Sequence, residues 1–317
     1  MRIPGKKTAI QVKRWLSSRS SPRAMILGYH RVATLDNDVY DICVAPDRFA
    51  EQMEALRQYY RLVSLAELVA GLVAGTLRHK SVAVTFDDGY ADNLYTAKPI
   101  LERFDIPATV FVSTGNPGQE FWWHQLERVI FAPPTIAEAI TMPVGDALFH
   151  WEGSDRKNLL EKLYDRLIPE TPEIRYRVIS AIQELTGHPS TARPNRLALS
   201  SSEIIDLAKG GLVDVGAHSH THPILSLLAL DQQRAEINAS KTTLEEMLGW
   251  PVAGFAYPNG IYHAVTQAIV QEAGFAYACS SHRNVVWGRQ DCYQLPRFWP
   301  KNWDGDRLMR DLRLWLG

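Results

Sequence analysis

Cysteine is scarce in this chain: only Cys43, Cys279 and Cys292 occur among 317 residues, and none shares a CxxC spacing. Neither a disulfide framework nor a thiolate zinc site is suggested, and a reducing compartment is the simpler expectation. An excess of charge is missing too. The formal net charge is −1, so no global field draws the protein to nucleic acid, and no RNA- or DNA-reading motif is present. Long apolar runs are lacking, so nothing is long enough to cross a bilayer. The short run Ala24 to Gly28 is no secretory h-region. These absences lead to the expectation of a cytoplasmic protein, with any membrane contact peripheral and at the inner face. No repeat or low-complexity tract occurs, and a composition of 46% hydrophobic and 22% charged residues fits one large globular domain or a barrel with an insertion.

The segment 1–23 is basic and free of acids, carrying Arg2, Lys6, Lys7, Lys13, Arg14, Arg19 and Arg23. It reads as a solvated, frayed terminus. A second reading sets Ile10, Val12, Trp15 and Leu16 against an anionic membrane surface.

From residue 24 to 317, apolar runs alternate with segments of helical period, the pattern of a mainly parallel α/β sheet or barrel. Strands are expected at Met25 to Tyr29, Val82 to Phe86, Ala108 to Val112, Leu212 to Ala217, Val252 to Tyr257 and Phe275 to Ser280. Helices are expected after Pro46, after the capping pairs Ser64/Glu67 and Ser200/Glu203, and after Asp231 as a cap. Residues 116–199 break the rhythm with Phe121-Trp122-Trp123-His124 and scattered prolines. They read as a helical insertion in one barrel loop, placed to cap a site.

Two clusters carry chemistry. Thr85-Phe86-Asp87-Asp88-Gly89 ends one expected strand, and His218-Ser219-His220-Thr221-His222-Pro223 ends another. In a β/α barrel such strand ends meet on one rim. Adjacent residues leaving a strand diverge, so Asp88 is set to bind a metal while Asp87 faces a substrate water. With His218 and His222 this makes a two-histidine, one-carboxylate site with open positions, suited to Zn²⁺ and also to Co²⁺, Ni²⁺ or Fe²⁺.

With Phe255-Ala256-Tyr257-Pro258-Asn259-Gly260 as a third motif in order, the chain resembles the polysaccharide deacetylase family, whose shared module is the NodB homology domain. The resemblance implies a distorted (β/α) barrel that binds one divalent metal and removes acetyl groups from N-acetylated sugars. It also implies Asp87 as general base, Asp88, His218 and His222 as ligands, and the backbone N–H of Asn259 as an oxyanion donor. Members often carry in the third motif an arginine that orients the base, and Ala256 stands there in this chain. Arg297 is the substitute candidate, against an ordinary structural ion pair. The family's late Leu-x-His motif is also missing, and His30 in Ile26-Leu27-Gly28-Tyr29-His30 replaces it as the protonated general acid if the strand order is permuted around the barrel. The competing reading of His30 is a hydrogen-bonded histidine at a strand end.

Tyr257, Pro258, Trp122, Trp123 and Trp299 are candidate walls of a sugar groove, with His124 beside them, since aromatic faces stack on sugar C–H surfaces. His220 is expected to face away from the metal. The expected function is metal-dependent removal of an acetyl or other acyl group from an amino sugar in a glycan or lipid-linked saccharide. A catalytically inactive carbohydrate-binding barrel and a deformylase or other amidase on the same scaffold are the alternatives.

Overall fold

The computed structural model describes residues 22–187 and 191–316. The basic stretch read as a frayed end or a membrane contact therefore lies, through residue 21, outside the described residues. Among the described residues no helix is long and apolar enough to cross a membrane.

The strands are β1 (Arg23–Tyr29), β2 (Arg31–Val32), β3 (Cys43–Val44), β4 (Arg61–Leu62), β5 (Ser81–Phe86), β6 (Ala108–Val112), β7 (Ala139–Val144), β8 (Ala147–Glu152), β9 (Val213–Ala217), β10 (Gly254–Ala256), β11 (Tyr277–Cys279) and β12 (Val286–Trp287). An eight-stranded sheet runs β11-β10-β9-β6-β5-β1-β12, with β4 also against β5. β5 and β6 are buried along their whole length, because parallel strands covered on both faces read as continuous apolar runs. β10 and β11 are shorter than the apolar runs that contain them.

The curl closes through one short segment. Cys279 bridges Leu295 and Leu27 bridges Phe298, both in parallel. The Ser280 N–H donates to the Leu295 carbonyl and the Gly28 N–H to the Phe298 carbonyl, each at 2.8 Å. Residues 295–298 thus join β11 to β1 and shut the distorted (β/α) barrel. Register places Tyr29 opposite Phe86, so His30 and Asp87 leave neighbouring strands side by side.

Helices surround this sheet by burying one face each. Pro46–Tyr59 buries Phe49, Met53 and Leu56. Leu230–Leu248 buries Ile237, Leu244 and Leu248 and ends at left-handed Gly249. Asp231 is in its first turn rather than at its cap, which is Ala229. The Ser200/Glu203 capping box is complete. At Ser64 only half of one forms: Ser64 Oγ accepts the Glu67 N–H, while the Glu67 carboxylate turns to Arg61 at 2.8 Å.

The segment 116–199 is not purely helical. Helices Trp122–Phe131, Arg156–Leu167 and Pro172–Thr186 are joined by an antiparallel hairpin of β7 and β8. Its strands alternate, Ile140, Met142 and Val144 facing in across from Phe149 and Trp151, and Gly145 at φ 59° supplies the turn. Pro143 conceals this period in the sequence, yet it is tolerated because a two-stranded ribbon consists of edges. These side chains share a hydrophobic core with Leu126, Ile130, Leu159, Leu163 and Ile182, separate from the core around the barrel.

Leu163 is fully buried in that second core, so Leu163→Ala should cost about 2–5 kcal/mol there. Limited proteolysis should then cut first within 116–199 while the barrel persists on a gel. Simultaneous loss of both would show the two cores to be one cooperative unit.

Candidate active site

The strand ends build the site. The Asp87 N–H donates to the Tyr29 carbonyl at 2.9 Å and the His218 N–H to the Val112 carbonyl at 2.9 Å, so the barrel's own hydrogen bonding carries the aspartate pair and the histidine loop to one rim. Asp88 Oδ1 lies 3.3 Å from His222 Nε2 and 3.5 Å from His218 Nε2. One donor atom from each of these three side chains falls within 4.8 Å of the others.

That triangle fits a metal. Donors at about 2.1 Å from one tetrahedral ion lie roughly 3.4 Å apart. The His218 Nδ1 lies 2.8 Å from the Ala256 carbonyl oxygen, so Nδ1 carries the proton and Nε2 presents a lone pair to the centre. The Ala256 carbonyl thus orients a candidate ligand.

The backbone is strained to reach this geometry. Asp88, Ser219 and His222 have φ of 72°, 60° and 57°, left-handed conformations that cost non-glycine residues roughly 1–2 kcal/mol each. Local bonds offset the strain. Ser113 N–H donates to the Asp88 carbonyl at 3.1 Å and His222 N–H to Ser219 Oγ at 3.1 Å. Glu236 accepts the N–H groups of His220 and Thr221 at 2.9 and 2.7 Å and the Thr221 hydroxyl at 2.6 Å. Strain held by surrounding structure is what a functional loop requires.

Asp87 lies next to the triangle and is 3% exposed. Arg297, fully buried on the closing segment, grips both its oxygens at 2.6 Å, the bidentate fork that makes such pairs strong. Its Nε–H also donates to the Ser280 carbonyl at 3.0 Å, which fixes the fork's plane. Burial pushes the Asp87 carboxyl up, but the Arg297 guanidinium overrides it and holds the group below its ordinary value. Burial likewise opposes ionisation of Asp88, and His218 and His222 bring it well below the carboxylate range.

His30 stands within electrostatic reach of Asp88, Asp87, Arg297 and His218. Its ring stacks on Trp299 at 5.0 Å, and Trp299 also faces the Arg297 guanidinium at 4.6 Å. Gly28 makes this possible, since a Cβ there would meet the Trp299 ring at 2.7 Å. Burial lowers the His30 pKa while the two aspartates pull it up, and the net direction is down. Burial thus works against a standing proton on His30, while the Asp88 and Asp87 carboxylates draw one toward it.

Several expected groove residues have other work. Trp122 has Tyr164 stacked on it at 5.2 Å and the Arg175 guanidinium over its ring at 4.7 Å, so no face is free for a sugar. Trp123 is stacked on Phe121 at 4.4 Å and abuts the His222 ring at 5.0 Å; it reaches the site, but through a ligand. Tyr257 is fully buried, stacked on Tyr262 at 4.3 Å with its hydroxyl on the Tyr293 carbonyl, and it belongs to the core. Pro258 is buried, while Asn259 is exposed with φ 56°. His124 lies buried between Tyr90 and Glu127. His220 turns aside to Thr114 Oγ1 at 2.9 Å. Trp299, partly exposed beside His30, keeps the placement of a groove wall.

Tyr90 and Glu236 were missed by the sequence reading. Tyr90 directly follows the Asp-Asp-Gly turn, which was the available signal; Glu236 lies on a helix surface with no local signal. Asp92 is a third such residue: it pairs with buried Arg31 at 2.8 Å and takes the Val32 N–H, next to Asn93, whose amide donates to the His30 carbonyl at 2.9 Å.

Comparison with known proteins gives consistent matches. The sequence model described as "Polysaccharide deacetylase" matches residues 74–141 and 178–278. A poly-beta-1,6-N-acetyl-D-glucosamine N-deacetylase of Staphylococcus aureus (strain MSSA476) is 30% identical over 119 residues, 33% of this chain and 41% of that protein. The match thus spans about two fifths of that curated relative's length. Among solved structures, a Streptococcus pyogenes deacetylase in complex with acetate superposes with a TM-score of 0.62 at 19% identity, covering 92% of this chain and 98% of the other. IcaB from Ammonifex degensii superposes with a TM-score of 0.58 at 21% identity, covering 88% and 92%. At these identities the structures speak for the fold.

Two outcomes follow from the geometry. His222→Ala should lose bound metal, whereas Asp87→Asn should keep its metal content near wild type by elemental analysis; equal loss in both would contradict the separation of ligand from base. Arg297→Met strands a buried carboxylate and should cost about 3–5 kcal/mol in urea unfolding, with part recovered when Asp87→Asn is added.

Proposed function

The chain belongs to the polysaccharide deacetylase family, and from that premise we propose that it hydrolyses the N-acetyl amide of N-acetylglucosamine residues within a glycan. The observation that carries this reading is the buried Arg297 fork on Asp87, set directly beside the Asp88, His218 and His222 triangle. A carboxylate kept ionised and unligated next to three metal donors is the arrangement that water activation needs.

A divalent cation held by Asp88, His218 and His222, with Zn²⁺ the proposed ion, supplies Lewis-acid chemistry, acidifying water and polarising the acyl carbonyl. Asp87 accepts the proton of the attacking water, and Arg297 keeps that carboxylate charged and correctly turned. The Asn259 N–H donates to the oxyanion as negative charge develops on the former carbonyl oxygen. The C–N bond then breaks, leaving acetate and an amine. His30, steadied by Trp299, delivers a proton to the departing nitrogen. One proton passes from the water to Asp87 and one from His30 to the amine, so loss of the first and uptake of the second restore both groups at the end of the cycle.

The alternative of an inactive binding barrel rested on the arginine missing from the third motif and on the displaced histidine. Arg297 reaching Asp87 from the closing segment and His30 standing near Asp87 and Asp88 both support the hydrolytic reading over that alternative. The polymer named for the Staphylococcus aureus relative makes β-1,6-linked N-acetylglucosamine oligomers the first substrate to offer.

Acetate release from such oligomers should stop on chelation and return with Zn²⁺. Asp87→Asn should abolish it, and His30→Ala should slow it by about 10²–10⁴-fold, the usual contribution of a positioned acid or base. Formate release from N-formyl analogues without acetate release would instead assign a deformylase. Oligomer binding without any acyl release would overturn the hydrolytic reading.

A further inference from the structure

The two histidine ligands are held in different ways. His218 is fixed by the hydrogen bond from its Nδ1 to Ala256. Among the described residues, the His222 ring has no hydrogen-bonding partner apart from its approach to Asp88. It lies instead between the Trp123 indole, at 5.0 Å and 53°, and the His218 ring, at 4.9 Å and 61°. The torsional freedom that a hydrogen bond removes from His218 must be removed from His222 by packing.

Trp123 is built to supply that packing. It is 5% exposed and lies flat on Phe121, the ring planes 3° apart. Its Nε1–H donates to the Tyr90 hydroxyl at 3.0 Å. The Tyr90 hydroxyl can then donate to His124 Nε2 at 2.9 Å, while His124 Nδ1–H donates to Glu127 at 3.0 Å. Burial lowers the His124 pKa, and a neutral ring with its proton on Nδ1 satisfies every link of this chain. Arg193 and Arg196 hold Glu127 at 3.1 and 3.2 Å. The Arg31 guanidinium covers the Tyr90 ring at 4.4 Å. The chain from Trp123 through Tyr90 and His124 to Glu127 is satisfied link by link, which stiffens it, while Arg31 Nη1 and Arg196 Nε at its margin are buried without a hydrogen-bonding partner.

The network also spans the two ligand-bearing loops. Tyr90 follows Asp88 and Gly89 in the chain. The insertion's returning segment fastens to the same turn, Leu199 N–H donating to the Gly89 carbonyl at 2.8 Å and Ala91 N–H to the Leu197 carbonyl at 3.0 Å. Trp123 is thus anchored to the aspartate loop and presses on the histidine loop.

We infer that Trp123 is a positioning residue for the metal ligand His222, and that the inserted segment serves as the outer brace of the metal centre, tying the Asp88 and His222 loops together through Tyr90. An orienting partner of a ligand typically sets metal affinity by about 10–100-fold, and here an aromatic face takes the place of the usual hydrogen bond.

The test reads metal binding alone, without substrate, so a failure of deacetylation would bear on the proposed reaction and leave this inference standing. Zn²⁺ affinity is measured on the full chain by chelator competition, and the visible spectrum of the Co²⁺-loaded protein reports ligand geometry. Trp123→Leu should weaken Zn²⁺ binding by about 10–100-fold and alter the Co²⁺ bands. Trp123→Phe, which keeps a ring against His222 and an intact fold, should give a smaller loss in the same direction. Ile182→Val trims one methyl group from the insertion's core and leaves the rings around Trp123 and His222 in place, so both readouts should stay at wild type. Wild-type affinity and spectrum in both Trp123 variants would overturn the inference. So would an equal loss in Ile182→Val, which would make the effect one of general packing.

Discussion

Everything at the rim depends on the ion pair between Arg297 and Asp87. The pair is buried, and an unpaired charge there would be costly, so each partner stabilises the other in place. Their union requires the closing segment to lie between β11 and β1, because that is how Arg297 reaches across to the end of β5. Barrel closure and preparation of the catalytic carboxylate are therefore one structural event. The same closure brings Trp299 onto Gly28 and His30, so the region about the proposed acid is shaped by the residues that hold the base.

The inserted segment adds a second layer of constraint. Its core is independent of the barrel's, yet it contributes an indole to a ligand's ring and a hydrogen-bonded chain to the aspartate turn. A barrel rim assembled from loops is inherently soft, and left-handed backbone at Asp88 and His222 adds strain that must be held. Glu236 restrains the histidine loop from the helix behind it, and the insertion restrains it from the front.

How much of this could be read from residues alone follows from physical locality. Asp87, Asp88, His218 and His222 were legible because each follows a strand, and parallel strands deliver their ends to one edge. Arg297 was legible only as a candidate, since the closing segment is held by isolated bridges with no periodicity to mark it as part of the sheet. Trp122 and Trp123 could not be separated by composition. Neighbours on a helix point about 100° apart, so one enters the insertion's core and the other meets His222. Tyr257 went wrong for a related reason, as a residue leaving a strand beside a motif turned into the packed core instead of the groove. The β7 and β8 hairpin was hidden by a proline in an otherwise alternating pattern, and Glu236 shows its role only once the helix is docked.

The order in which these pieces occur along the chain has a consequence for biogenesis. Strand β1 emerges first from the ribosome, but its partner at Phe298 is translated only after all three metal donors. Long-range pairings of this kind fold slowly, and until the closing segment arrives the part of β1 beyond its short pairing with β12 presents an open edge of the sort that invites misassociation. The aspartate pair and the histidine loop are thus translated before the segment that closes the barrel and brings Arg297 to Asp87.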